Sequence, residues 1–224
     1  MSRVKPPARA DLDRLTIATQ QAESRTSAEI ATVIASQSGA YAGQVLMVCL
    51  ALMAVYALAF FLFLGTIHRL LGQLLWEART VQVLLAFFIG QIVVFGLTFG
   101  LLSLVPGLRS LVVSRKDKRN RVRERAESAF FHHNITATQA GNGLLVYVSI
   151  LERRVELLVD SGIAQKIKPA VWQEVVDRIV EGIRGNRFLP ALEEQIRRCG
   201  DILSGPLPRQ PGDVNELSDR PVVE

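Results

Sequence analysis

The sequence predicts an α/β fold: a central strand pair with helices packed on each side, interrupted by a hairpin of two apolar helices. Three observations carry that expectation. Gly143 to Asp160 reads GLLVYVSILERRVELLVD, two runs of Val, Ile, Leu and Tyr around a charged turn, as expected for strands buried on both faces. Residues 41–67 and 81–105 contain no charged side chain. The segments around these two features repeat their apolar residues with helical spacing.

Composition agrees with such a hybrid. The 224 residues are 49% hydrophobic with mean hydropathy +0.25, between the values of soluble and membrane chains. Net charge is +5, yet Arg109 to Arg125 alone holds eight basic and two acidic residues, so the remainder is nearly neutral. Charge clustered in this way fits an anionic membrane surface. No aromatic or Gly-rich recognition pattern accompanies it, so nucleic acid is not an expected partner. Cys49 lies in an apolar span and Cys199 on the apolar side of a helix; both read as small buried hydrophobes, with no disulfide framework.

The elements follow in order. A helix is predicted from Ala8 to Ser24, where Leu12, Leu15, Thr19 and Ala22 recur at helical spacing and Asp11 or Asp13 occupies the first turn. Ala28 to Ala35 (AEIATVIA) reads as a short strand ended by Ser36-Gln37-Ser38-Gly39. Residues 1–40 thus hold the first helix and strand of the soluble domain. The two uncharged spans, 41–67 and 81–105 within 41–108, are each long enough to cross a bilayer, about 37 Å for 25 residues. A short connector, residues 68–80, joins them, with Trp76 suited to an interface.

Positive charge lies outside the spans, in Arg3, Lys5, Arg9, Arg14 and Arg25 before them and in the Arg/Lys run after them. Both termini are therefore expected in the cytoplasm, on a multi-pass chain. Gly96 and Gly100 form a G-x-x-x-G pair that favours close helix approach. Gln91, near mid-membrane, is expected to hydrogen-bond within the hairpin or between copies, which makes a homo-oligomer one expectation.

From Arg115 to His133, Val122, Ala126, Ala129 and Phe130 share one helical face. Arg115, Lys116, Lys118, Arg119, Arg121 and Arg123 populate the others. Directly beyond a span, they should meet anionic headgroups, each contributing on the order of 1 kcal/mol. After the strand pair, Pro169 opens a helix with Trp172, Val175, Val176, Ile179, Val180 and Ile183 on one face, and Gly185 ends it. Phe188, Leu189, Leu192, Ile196, Cys199 and Leu203 repeat the pattern. Residues 109–204 are thus the rest of the soluble domain, and 205–224 read as a flexible acidic tail.

Four segments carry a resemblance: AESRTSAEIATVIAS (22–36), GLLVYVSILERRVELLVDSGIAQKI (143–167), the Trp172 helix and PGDVNELSD (211–219). Together they make the chain similar to a bacterial, membrane-inserted member of the TPM domain family, which includes the thylakoid acid phosphatase of photosystem II repair. The resemblance implies a small three-layer α/β/α sandwich with a two-helix transmembrane hairpin inserted after the first strand, in a bacterial cytoplasmic (inner) membrane. Two departures stand out. Ser218 replaces the proline that follows the N-E-L triplet in many relatives, and thylakoid members carry their span after the domain.

Family membership raises phosphatase chemistry. Asp11-Leu12-Asp13 superficially matches the D-x-D of aspartyl-phosphate enzymes, yet it opens a surface helix and reads as an N-terminal charge and cap. Cys199 lacks a phosphate-cradling loop and a following Arg. Asp160, at the end of the second strand and before Ser161-Gly162, sits where open α/β sheets place ligands. Capping the turn by accepting backbone N–H bonds is the favoured reading of Asp160; a hard cation such as Ca²⁺ is the cofactor it would otherwise suit. His132 and His133 point about 100° apart on a helix and cannot easily share one metal. Gly141-Asn142-Gly143 fits either an anion nest or a plain turn, and Glu152-Arg153-Arg154 reads as a solvated hairpin tip. No nucleophile–base pair can be assembled from the sequence. The expectation is therefore a membrane-anchored, non-enzymatic accessory protein for interaction, assembly or quality control of a membrane protein partner. A weak acid phosphatase or divalent-cation-dependent hydrolase is the alternative.

Overall fold

The computed structural model describes residues 7–39, 41–74, 80–105, 108, 113–138 and 140–224. Trp76, together with Arg3, Lys5, Glu77, Arg79 and Arg109, lies outside the described residues. The chain divides into two units: Met1–Gly39 with Arg115–Glu224, and Ala40–Ser114.

The first unit is a mixed α/β sandwich. Helix α1 (Arg9–Glu23) leads into strand β1 (Glu29–Ala35). Helix α5 (Arg115–His132) precedes β2 (Gly143–Ser149) and β3 (Arg154–Val159). The short α6 (Ser161–Ala164), then α7 (Pro169–Arg184) and α8 (Phe188–Ser204), complete one layer, and the chain ends in β4 (Val222–Val223). Among the described residues the sheet order is β3-β2-β1-β4. Strands β1 and β2 are parallel, Glu29 opposite Gly143 and Ala35 opposite Ser149, while β3 returns antiparallel.

Alternation along the strands divides the core in two. Ile30, Ile34, Leu144, Val146 and Val148 meet Leu15, Ala18 and Ala22 of α1, Trp172, Val175 and Ile179 of α7 and Leu192 and Ile196 of α8. Val33, Ala35, Leu145 and Tyr147 on the opposite face meet Val122, Ala126, Ala129 and Phe130 of α5. Helices therefore cover both faces, and the spacing-based reading of α5 matches its buried stripe residue for residue. Gly200 lets α8 approach α1, since a Cβ there would lie 2.6 Å from Ala22 Cα.

Three sequence expectations are corrected in this unit. Only β2 is buried along its whole length; β3 is the outer strand, and most of its residues stay half-exposed. Glu152 is no solvated tip: it is buried, 8% exposed. The segment 205–224 is docked. Thr26 bridges Pro208, Leu217 and Val222 pack on the α5-side core, and β4 pairs in parallel with Val33 and Ile34. A bare edge at β1 would leave backbone donors and acceptors unpaired, and the tail fills part of it.

The second unit contains α2 (Ala42–Leu62), α3 (Leu64–Leu74) and α4 (Thr80–Leu104). The first span ends five residues earlier than the sequence suggested, at a break on Phe63, and the expected connector begins as a helix. Tyr56, Phe60 and Phe87 stack where α2 meets α4, with ring centroids 5.1–6.1 Å apart. The close approach lies at Gly90, where a Cβ would run into the Tyr56 ring; at Gly96 or Gly100 it would meet nothing within 4 Å. The Gln91 Nε2 donates to the Met53 carbonyl at 3.3 Å. Both α2 and α4 are long and apolar enough to cross a membrane, and Met47, Leu62, Ile92 and Leu97 are each about 70% exposed. A soluble core helix would bury such side chains, so their exposure suggests membrane association.

Candidate functional site

Because β3 runs antiparallel to β2, the end of β3 lies at the edge of the sheet where β1 and β2 begin. Asp160 therefore sits at the amino edge of the parallel pair, not at the carboxyl edge where ligands gather in open α/β sheets. There it is the N-cap of α6. Its Oδ1 accepts from the Ser161 N–H at 2.6 Å, and its own N–H donates to the Gly143 carbonyl at 2.9 Å. Gly141, at φ +59°, and Gly162 let the two loops touch, since a Cβ on Gly162 would lie 2.7 Å from the Ala140 carbonyl oxygen. The Gly141-Asn142-Gly143 segment is a close-packed turn entering β2, held by Asn142 N–H to Thr138 Oγ1 and by Asn142 Nδ2 to the Ser27 carbonyl.

The same edge carries a carboxylate cleft of about 170 Å³, lined by Glu23, Thr26, Glu29, Arg209, Asp213 and Asp219, among others. Its members come from the end of α1, the start of β1 and the docked C-terminal segment. Glu23 accepts the Ile30 N–H at 2.8 Å, and Glu29, 5% exposed, accepts the Leu217 N–H at 3.2 Å. Burial pushes the Glu23 carboxyl up to about 8, helped by the charges of Glu29 and Asp219 and by a side-chain hydrogen bond with Asp219. Burial also raises Glu29, but two backbone N–H bonds, from Leu217 and Glu216, oppose it. Glu23 accepts one such bond, from Ile30, which opposes the effect of its burial. Asp219 in turn accepts from Asn215 Nδ2 at 2.6 Å. The cleft thus favours the protonated form of Glu23 beside the Asp219 side chain. Among the described residues no three His, Cys, Asp or Glu side chains are grouped to hold a metal ion.

At the opposite edge Ser38, Tyr147, Ser149 and Glu152 form a buried network. Glu152 accepts from the Ser38 N–H at 3.1 Å and from the Ser149 hydroxyl, and Ser38 Oγ lies 3.2 Å from Tyr147 Oη. Burial raises the Tyr147 phenol and lowers the Lys118 ammonium, with the Glu152 charge opposing the latter. Lys118 is accordingly half-buried, whereas Arg115, Lys116, Arg119, Arg121 and Arg123 are exposed. His132 ends α5 beside Arg125 and Glu224, and His133 Nε2 lies 3.7 Å from Glu224 Oε1. Cys199 is fully enclosed, its thiol pushed up to about 12, so it supplies no thiolate nucleophile. Asp11 caps α1 by accepting the Ala8 N–H at 3.0 Å.

Local sequence patterns do not mark Glu23 and Glu29 as site residues, although both lie in the 22–36 segment that carries the resemblance. Their partner Asp219 lies about 190 residues away, and no local pattern joins them. Asp160 is not among the residues that line this cleft.

Comparison with solved structures finds similarity to the BA42 protein of the psychrophilic bacterium Bizionia argentinensis, determined by NMR. The TM-score is 0.58 at 14% identity, over 98% of this chain and 97% of that one, a likeness of fold. No curated protein matches the chain. The family model of the TPM domain matches residues 108–202, from the approach to α5 to near the end of α8.

Proposed function

We propose that this protein is anchored in a bacterial inner membrane by two passes, with both termini cytoplasmic, and serves a non-enzymatic role in interaction with, or assembly or quality control of, a membrane protein partner. The observation that carries the reading is the pairing of β1 with β2 across the inserted apolar helices. The sheet draws its two central strands from either side of the insertion, so the apolar helices are built into the chain of the domain between them. The exposed basic face of α5 supports a contact with anionic headgroups. Reporter fusions at Thr80 and at the C-terminus test the topology. Opposite sides, with the C-terminus cytoplasmic, are expected; a periplasmic C-terminus overturns the orientation. Crosslinking in native membranes should then capture the partner through the TPM domain, and a chain found alone would count against the accessory role.

The cleft favours a second reading. A carboxyl with its proton held to about pH 8 is suited to general acid work, and a cation such as Ca²⁺ could displace that proton. A weak phosphatase or cation-dependent hydrolase would then use Glu23, not Asp160. Hydrolysis of a generic aryl phosphate that survives Asp160→Ala and disappears in Glu23→Gln would favour it. Equal background rates in all three proteins would sink it.

A further inference from the structure

The break at Phe63 makes α3 a separate element, and its sequence, LGTIHRLLGQL, has a two-sided character that neither flanking helix shares. At 100° per residue, Leu64, Ile67 and Leu70 fall by spacing within an arc of about 120°. Gly65, Thr66, His68 and Arg69 take the remainder. Helix α2 has 21 residues, about 32 Å at 1.5 Å per residue, which matches the roughly 30 Å of a bilayer's hydrocarbon core. A chain that has just crossed therefore reaches the interface at Leu62–Phe63. There the helix ends: Phe63 leaves helical geometry at φ −101°, ψ 15°, and its carbonyl accepts the Thr66 and Ile67 N–H groups at 2.9 Å as the next helix starts. Leu64 is 38% exposed and Leu70 59% exposed, continuous with the bare apolar surface of Leu62 and Phe63.

We propose that α3 is an interfacial helix lying along the membrane surface, an inference that rests on reading α2 and α4 as membrane spans. Leu64, Ile67 and Leu70 enter the acyl boundary, while His68 and Arg69 face headgroups and water. Extending the span through α3 would carry Arg69 and His68 into hydrocarbon on a helix of about 50 Å, far longer than the bilayer needs. Standing free in water would leave the leucine stripe bare. The interface satisfies both faces of the helix.

The test uses the full chain in vesicles of three parts phosphatidylcholine to one part phosphatidylglycerol, with Cys49→Ala and Cys199→Ala removing the native thiols. An environment-sensitive fluorophore is attached to single cysteines placed at Leu50, Thr66, Ile67 or Leu70. Quenching by lipids brominated at shallow or deep positions is compared with quenching by aqueous iodide. Ile67 and Leu70 should be quenched at least about threefold more by shallow bromines than by iodide, with Thr66 reversed and Leu50 quenched by deep bromines. Deep quenching at Ile67 and Leu70 would show a continued span and overturn the inference. Iodide quenching there, with Leu50 still deep, would place the helix in water or against a protein and overturn it as well. Iodide quenching at Leu50 would sink the span reading and this inference with it. Where a cysteine variant fails to insert, bimane labelling at Leu64 in place of Ile67 supplies the same comparison.

Discussion

Glu152 and the Glu23–Glu29 pair lie at opposite edges of one sheet and are accommodated in opposite ways. At the edge where β1 and β2 end, Glu152 is 8% exposed and receives the Ser38 amide and the Ser149 hydroxyl, with the Lys118 charge nearby. At the edge where they begin, Glu23 and Glu29 are given backbone amides, but each also faces another carboxyl group. Donors hold a carboxylate in place as a structural acceptor. Carboxyl neighbours leave it dependent on a proton, and therefore responsive to pH or to a cation. The contrast separates a donor-satisfied network at Glu152 from a carboxylate-rich cleft at Glu23.

The largest expected effect comes from Glu152→Ala. It strands the Ser38 N–H and the Ser149 hydroxyl in a buried site and should lower unfolding free energy by roughly 2–4 kcal/mol. Thermal unfolding in detergent reads this, and a loss under about 1 kcal/mol would mean the donors find other partners and the contrast fails.

Glu23→Gln should act in the other direction and only over part of the pH range. Below the ordinary carboxyl pKa of 4.5, Glu23 is neutral both folded and unfolded. Between 4.5 and about 8 the unfolded chain releases its proton while the folded chain keeps it, so stability falls as pH rises, and it levels off above 8. The amide removes this loss. At pH 9 the variant should therefore melt higher than the parent by a few degrees, on the order of 1 kcal/mol or more, with the gap closing below pH 5. A parallel pair of melting curves across pH would show that the cleft holds no displaced proton.

Smallest is Asp160→Ala, the loss of one cap on a four-residue helix, worth about 1 kcal/mol. Asp160→Asn should be nearly neutral, and neither should alter the pH dependence set by Glu23. A pH profile that moved with Asp160 would join the two sites and revive it as a ligand.

Much of the fold was legible because it is written in local periodicity. The stripe Val122, Ala126, Ala129 and Phe130, and the stripes of α7 and α8, follow from 3.6 residues per turn whatever the partner surface is. Asp160 was found, but its setting was misread, because the direction of β3 relative to β1 and β2 decides which edge it occupies. The break at Phe63 was missed because composition stays apolar across it.

Taken by itself, the sequence determined the class of the fold, the two uncharged spans, the basic helix that follows them and the faces that helices bury. Those depend on side-chain character repeated over one or two turns. Tertiary structure alone decided that 205–224 closes the sheet as β4, that Glu152 is enclosed, and that Glu23 and Glu29 meet Asp219. Each of these depends on groups far apart in the chain whose burial changes their chemistry only once the sheet has brought them together.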